Sequence, residues 1–99
     1  MSTSPNEIVR PTAVDVSVTD ETLVVELSDG RTISVPVSWY PRLEHATEKE
    51  RSQWQLMGSG IGLHWPAIDE DISIEALLAG RRSNESDVSL KRWLSQRGA

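Results

Sequence analysis

Neither cysteine nor phenylalanine occurs in the chain. The first absence removes disulfides, thiolate metal sites and cysteine nucleophiles together. Small secreted domains usually depend on bridges, so their absence points to a reducing compartment and a cytoplasmic protein. Without phenylalanine, the large aromatic residues are Trp39, Trp54, Trp65, Trp93 and Tyr40, and a core that needs bulk must take it from them. Long apolar runs are also missing. Pieces such as Ala76-Leu77-Leu78-Ala79 are the longest, well short of a membrane span. Met1–Arg10 shows no basic segment followed by an apolar run, so no signal peptide is expected. Internal repeats and low-complexity segments are not evident.

What is present suits one folded domain. The 99 residues are 37% hydrophobic and 25% charged, enough for a single modest core. The net charge of −5 is unevenly placed. Residues 1–80 carry thirteen acids against five bases, and residues 81–99 carry five bases against two acids. An acidic body repels nucleic acid, while a basic tail attracts it or folds back on the body.

Residues 1–12 read as a loose lead-in, 13–80 as one α+β domain, and 81–99 as a linker with a basic C-terminal helix. Val14, Val16 and Val18 alternate with polar residues, as do Leu23, Val25, Leu27 and Ile33, Val35, Val37. Period two marks strands with one buried face. Asp29-Gly30 predicts a tight two-residue hairpin turn with positive φ at both central positions. Pro36 puts the third strand at an edge or ends it there. These runs predict a three-stranded antiparallel meander over 13–37.

Thr47 and Glu50 form a capping box, predicting a helix that continues through Arg51, Trp54 and Leu56 to Gly58. Ile61, Leu63 and Trp65 alternate as a short fourth strand ended by Pro66. Asp69-Glu70-Asp71 reads as an acidic turn. Ser73 or Asp71 caps a second short helix that stops at Gly80. Ser86 caps a last helix with Leu90, Trp93 and Leu94 on its apolar side.

Several separated segments carry a family resemblance. They are Leu27-Ser28-Asp29-Gly30-Arg31, Trp39-Tyr40-Pro41-Arg42-Leu43, Trp54-Gln55-Leu56, and the run from Gly62 to Gly80 that includes His64-Trp65-Pro66 and Asp69-Glu70-Asp71. In this order they resemble domain of unknown function family 2442, a family of small prokaryotic proteins. The resemblance covers roughly 13–80, and the tail from Ser86 to Arg97 is similar to an extension in one branch. It implies a small α+β fold and brings no catalytic residues. It also implies gene pairs resembling toxin–antitoxin modules, in which this acidic chain is the neutralising member.

Four constellations are candidates for chemistry. His64 with Asp69, Glu70, Asp71 and the distant His45 offers metal-type ligands, but the spacing matches no ligand signature. Strand alternation turns His64 to solvent if Leu63 and Trp65 face in. Gly58-Ser59-Gly60-Ile61-Gly62 could cradle phosphate, but such loops need a strand before and a helix after. Here the order reads as helix then strand, so a flexible turn is the better reading. Among the tryptophans, Trp54 and Trp65 read as core, while Trp39, Tyr40 and Trp93 read as part-exposed contact candidates. The basic tail reads as docked on the body or in contact with a partner. No nucleophile elbow is present.

The expectation is a non-catalytic protein-interaction domain without cofactor or metal. Trp39, Tyr40, Asp69, Glu70 and Asp71 are its predicted partner contacts, and the partner is a small basic protein encoded next door. The alternative is a nucleic-acid-binding transcriptional regulator, with Arg81, Arg82, Lys91 and Arg92 as contacts. A sheet edge left open opposite Pro36 also offers a route to a homodimer.

Overall fold

A computed structural model of the chain describes residues 10–97. The predicted lead-in therefore lies mostly outside the described residues. At its end, Thr12 is tied to the body: its N–H bonds the Ser28 hydroxyl at 3.0 Å, and its carbonyl accepts the Ser28 N–H at 2.8 Å.

The first sheet is the predicted meander, with strands β1 (Ala13–Val18), β2 (Thr22–Leu27) and β3 (Thr32–Pro36) in the order β1-β2-β3. Alternation in β2 buries Leu23, Val25 and Leu27. β3 is an edge strand that ends at Pro36, and buried Val37 begins a 3-10 turn, Val37–Trp39. Two local expectations change. The register of β1 slips between Ala13 and Asp15. This bulge turns Ala13 and Val16 inward and leaves Val14 exposed. The β2–β3 turn holds three residues, Ser28 to Gly30, and only Gly30 has positive φ, at 92°. Gly30 N–H bonds Leu27 O and Leu27 N–H bonds Arg31 O, a type I turn closed by a left-handed glycine.

The predicted fourth strand is the centre of a second antiparallel sheet. Its strands are β4 (Gln55–Met57), β5 (Gly62–Trp65) and β6 (Glu70–Ser73), in the order β4-β5-β6. Two segments expected elsewhere supply its edges. The capping-box helix α2 (Glu48–Ser52) stops at Ser52 because Gln53 leaves helical space, with φ −98° and ψ 66°. Gln55 to Met57 then pair with His64 to Gly62. The glycine loop thus joins two strands, a hairpin turn and not a helix-to-strand connection. In the acidic run only Asp69 stays in the turn, in left-handed backbone with φ 51°. Glu70 to Ser73 pair with Trp65 to Gly62, which buries Ile72 beside Leu63.

Short helices join and cover the sheets. α1 (Pro41–Glu44) begins with proline at its first turn, where the missing N–H costs nothing. α3 (Ile74–Leu78) is capped by Ser73, whose hydroxyl accepts the Ala76 N–H at 2.9 Å. α4 (Asp87–Arg97) starts where Ser86 Oγ accepts the Ser89 N–H. Among the described residues, no helix is long and apolar enough to cross a membrane. One core joins both sheets, with Leu23, Val25, Leu43, Leu63, Trp65 and Ile68 essentially sealed from solvent.

Arg51 locks this arrangement. It is buried, and its Nε donates to Leu43 O at 2.9 Å while Nη2 donates to Glu44 O at 2.8 Å. Its Nη1 reaches Asp20 at 2.7 Å, and its own carbonyl accepts the Trp65 indole N–H at 3.1 Å. One residue thereby joins the β1–β2 loop, the end of α1, α2 and β5. A second fixed point is Gly60, with φ 100°, whose carbonyl accepts the Ala13 N–H. A Cβ there would meet Ala13 O at 2.8 Å.

Arg51→Ala strands two α1 carbonyls and is expected to cost about 3 kcal/mol in urea unfolding. Arg51→Lys should recover only part, because an ammonium cannot span the same fork. Gly60→Ala is expected to cost about 2 kcal/mol or more, from left-handed strain and the clash with β1. Unchanged urea midpoints would refute both assignments.

Candidate functional site

An open cleft of about 560 Å³ lies between β6 and the segment 81–85. Local turn chemistry makes it. Gly80, with φ 74°, ends α3: Gly80 N–H bonds Leu77 O and Arg81 N–H bonds Ala76 O, the paired bonds that close a helix on a glycine. The chain then runs back past Tyr40. Two hydrogen bonds and an ion pair hold it there. Tyr40 OH donates to Arg81 O at 3.0 Å, and Ser83 N–H to Trp39 O at 3.0 Å. Arg42 grips Glu85 through Nε at 2.8 Å and Nη2 at 2.7 Å. Arg42 Nη1 also donates to Ile68 O at 3.0 Å, so α1, the β5–β6 turn and segment 81–85 meet at one guanidinium.

The charges around the cleft are unequal in their partners. The hydrogen bonds from Arg42 hold the Glu85 carboxyl below its ordinary value, and Ser89 adds a further bond at 2.7 Å. The same pairing pushes the Arg42 guanidinium up. Glu70 stands opposite Trp65 on the adjacent strand and is half-buried. Burial, and then the Glu85 charge, push its carboxyl up to about 7, against a smaller opposing pull from Arg42. Tyr40 is raised by burial and by the Glu70 charge.

Six predicted contact residues line this cleft: Tyr40, Asp69, Glu70, Asp71, Arg81 and Arg82. Trp39 lies beside it, with the Arg82 guanidinium 4.9 Å over its ring. Tyr40, expected part-exposed, is buried, because its ring packs in the core while its hydroxyl clamps Arg81. Ile61, expected inward by alternation with Leu63 and Trp65, is 63% exposed. It sits in the hairpin turn before β5 begins, so it forms a cleft wall with Met57. Lys91 and Arg92 are exposed on α4 and do not line the cleft. Arg42, Glu85, Met57 and Ile61 were not predicted. The Arg42–Glu85 pair spans 43 positions, and no local pattern signals it.

The remaining candidates resolve individually. His64 hydrogen-bonds Asp71 across the β5–β6 ladder through Nδ1. Among the described residues, no group of three or more His, Asp or Glu side chains could hold a metal ion. The tail helix is docked. The Arg42 and Arg97 guanidinium groups lie 5.2 and 4.5 Å from the centre of the Trp93 ring, and Arg97 holds Glu50 through two bonds of 2.7 and 2.9 Å. Those bonds, foremost, draw the Glu50 carboxyl down to about 2.

These features define a class: a small α+β domain of two three-stranded sheets over one core, with a charged cleft at the edge of the second. Residues 13–83 match the family described as "Protein of unknown function (DUF2442)", and the chain belongs to it. Two solved structures share the fold. A Rhodospirillum rubrum protein of unknown function, a crystal structure, is 28% identical with a TM-score of 0.66, covering 78% of this chain and 95% of its own. An uncharacterised Chromobacterium violaceum protein, a solution NMR structure, is 23% identical with a TM-score of 0.63, covering 87% and 75%. No curated protein matches the sequence.

Two carboxyls set opposite pH limbs. Glu70, raised from 4.5 to about 7, contributes stability that is complete below about 4.5 and lost as pH rises through 7. Glu50, lowered to about 2, contributes stability present above about 4.5 and lost as pH falls towards 2. Urea midpoints measured from pH 3 to 8 should therefore peak near pH 5. Glu70→Gln should flatten the limb between pH 5 and 8 and leave the acid limb intact. A variant that kept the neutral limb would show that Glu70 does not cause it.

Proposed function

We propose that this chain is a non-catalytic protein-interaction domain, the antitoxin-like member of a two-gene module, which receives a small basic protein at the β6 cleft. The observation that carries the reading is the composition of the cleft wall. Met57 and Ile61 expose apolar surface in the same cleft as Asp69, Glu70 and Asp71. An apolar patch in a cleft that also carries three consecutive acids favours a protein that brings positive charge to them.

The hydroxyls near the cleft are committed to structure. Ser73 caps α3, Ser83 accepts the Glu85 N–H, and Ser89 donates to Glu85. None has a histidine as partner, so the site supports adhesion better than acyl or phosphoryl transfer. In this reading the protein acts in the cytoplasm and needs no cofactor.

The regulator reading has weaker support. Arg97 is consumed by Glu50. Arg81 and Arg82 share their cleft with Asp69, Glu70 and Asp71, which repel phosphate. Lys91 and Arg92 remain as exposed bases on α4.

Co-expression with the product of the adjacent gene tests the proposal. The expected outcome is a stoichiometric complex and relief of growth inhibition. Ile61→Ser, at an exposed position, should weaken the complex at least tenfold with little change in thermal stability. No association, combined with salt-sensitive promoter binding that requires residues 81–99, would replace this reading with the regulator.

A further inference from the structure

β6 is an edge strand, and its outer side carries main-chain groups that the fold leaves open. Ile74 N–H bonds Ile61 O at 2.9 Å. Gly62 and Ser73, the next pair in the ladder, therefore turn their own N–H and C=O groups away from each other, and His64 and Asp71 do the same two positions along. Asp71 and Ser73 thus aim their main-chain groups towards the cleft. Two of these four groups are already used. Asp71 N–H bonds the Glu70 carboxylate, and Ser73 C=O opens the hydrogen bonding of α3. Asp71 C=O and Ser73 N–H remain, on either side of Ile72. Among the described residues neither has a hydrogen-bond partner.

The far wall of the cleft decides what can pair there. Segment 81–85 is held by Tyr40 and by Trp39 O, and Arg42 spaces it from the β5–β6 turn by reaching Glu85 with Nη2 and Ile68 O with Nη1. This wall stands where a second sheet would have to approach, so the edge is closed to pairing with the sheet of another copy. A single extended chain needs only about 4.8 Å of width beside a strand, and the cleft of about 560 Å³ offers it room. In a strand parallel to β6, one residue opposite Ile72 donates to Asp71 O and accepts from Ser73 N–H. An antiparallel strand would need both groups of a single residue, and Asp71 and Ser73 each have one in use.

We infer that the cleft is a strand slot, in which an extended segment of a partner protein adds to β6 in parallel with its main chain on Asp71 C=O and Ser73 N–H. The inference rests on the interaction reading for the source of the segment, and on the ladder alone for the mode of binding. Side-chain rows give the segment its chemistry. Pairing sets Met57, Gly62 and Ser73 in one row and Gln55, His64 and Asp71 in another, both on the outer face. Leu63 and Ile72 lie in the row between, facing the core. A residue beside Ser73 extends a row in which Gly62 has no side chain and Met57 lies beyond, so apolar bulk fits. A residue beside Ile72 is apolar like its row, and one beside Asp71 meets a carboxylate, so a cation fits. The segment therefore reads basic, apolar, apolar in chain direction. Thirteen acids against five bases in residues 1–80 favour such a segment over an acidic one.

The probe is acetyl-Lys-Val-Leu-amide, titrated into the full ¹⁵N-labelled chain. The expected result is shift changes along Asp71–Ser73, at Gly62 and in 81–85, with a dissociation constant on the order of millimolar for so small a ligand. Exchange of the Ser73 amide with solvent should slow several-fold at saturation. The same peptide N-methylated at valine has no donor for Asp71 O and should bind at least tenfold more weakly. Ser73→Pro removes the outward N–H at a residue whose φ of −83° lies close to that of a proline ring, and should also weaken binding at least tenfold. Ser73→Ala, which loses the α3 cap and keeps the N–H, should bind as the wild type does. Both variants should unfold at similar urea concentrations, because neither touches the β5–β6 ladder. Undiminished binding of the N-methyl peptide or by Ser73→Pro, no shift changes along β6, or a Ser73→Pro chain that fails to fold where Ser73→Ala folds would each overturn the inference.

The partner experiment separates this from the interaction reading. A co-expressed partner that binds Ser73→Pro as well as Ser73→Ala would overturn the strand slot and leave the interaction domain standing. Peptide binding as described, with no partner captured by the wild type, would support the slot and remove the antitoxin-like role.

Discussion

The buried guanidinium of Arg51 joins segments that the backbone leaves apart. It satisfies the carbonyls of Leu43 and Glu44 where α1 ends, and its carbonyl receives the indole N–H of Trp65. Both are groups that would otherwise lose their hydrogen bonds on burial. Trp65 is the largest side chain of the core and is fully buried. Its depth therefore depends on an acceptor that only α2 can present. The two sheets share one core because this residue fixes α1 and α2 over both. The desolvation of its charge is offset by three hydrogen bonds, one of them to exposed Asp20.

A second guanidinium, that of Arg42, shapes the surface as Arg51 shapes the interior. Arg42 gathers Ile68 O, Glu85 and the ring of Trp93. It thereby carries the returning chain and the tail helix on one planar group. α4 buries no residue of its own. Its attachment rests on Trp93 and the Arg97–Glu50 pair, with half-buried ion pairs in place of apolar area. Such contacts are worth less than core packing and weaken with salt.

Glu85 is paired with Arg42, while Glu70 stays half-buried close to the Glu85 charge. A carboxyl pushed up to about 7 works against the folded state at neutral pH. Met57 and Ile61 line another part of the same cleft. Electrostatic cost and exposed apolar surface thus share one cleft at the second sheet.

The sequence by itself determined the first sheet, the capping box at Thr47, the glycine stop at Gly80 and the α+β class. Each of these is written in neighbouring residues, through period-two burial or a cap three positions away. It also singled out Tyr40, Asp69, Glu70, Asp71, Arg81 and Arg82, which the fold assembles in one cleft. The tertiary structure decided what depends on distant partners. β4 and β6 are three- and four-residue edge strands with one or no buried side chain, too short for a periodic signal, and pairing with β5 alone makes them strands. Ile61 faces out because the hairpin turn, not the alternation, sets its position. The Arg42–Glu85 and Arg51–Trp65 bonds span 43 and 14 positions. Hydrogen bonds between residues so far apart leave no local pattern, because they form only after both sheets have closed over one core.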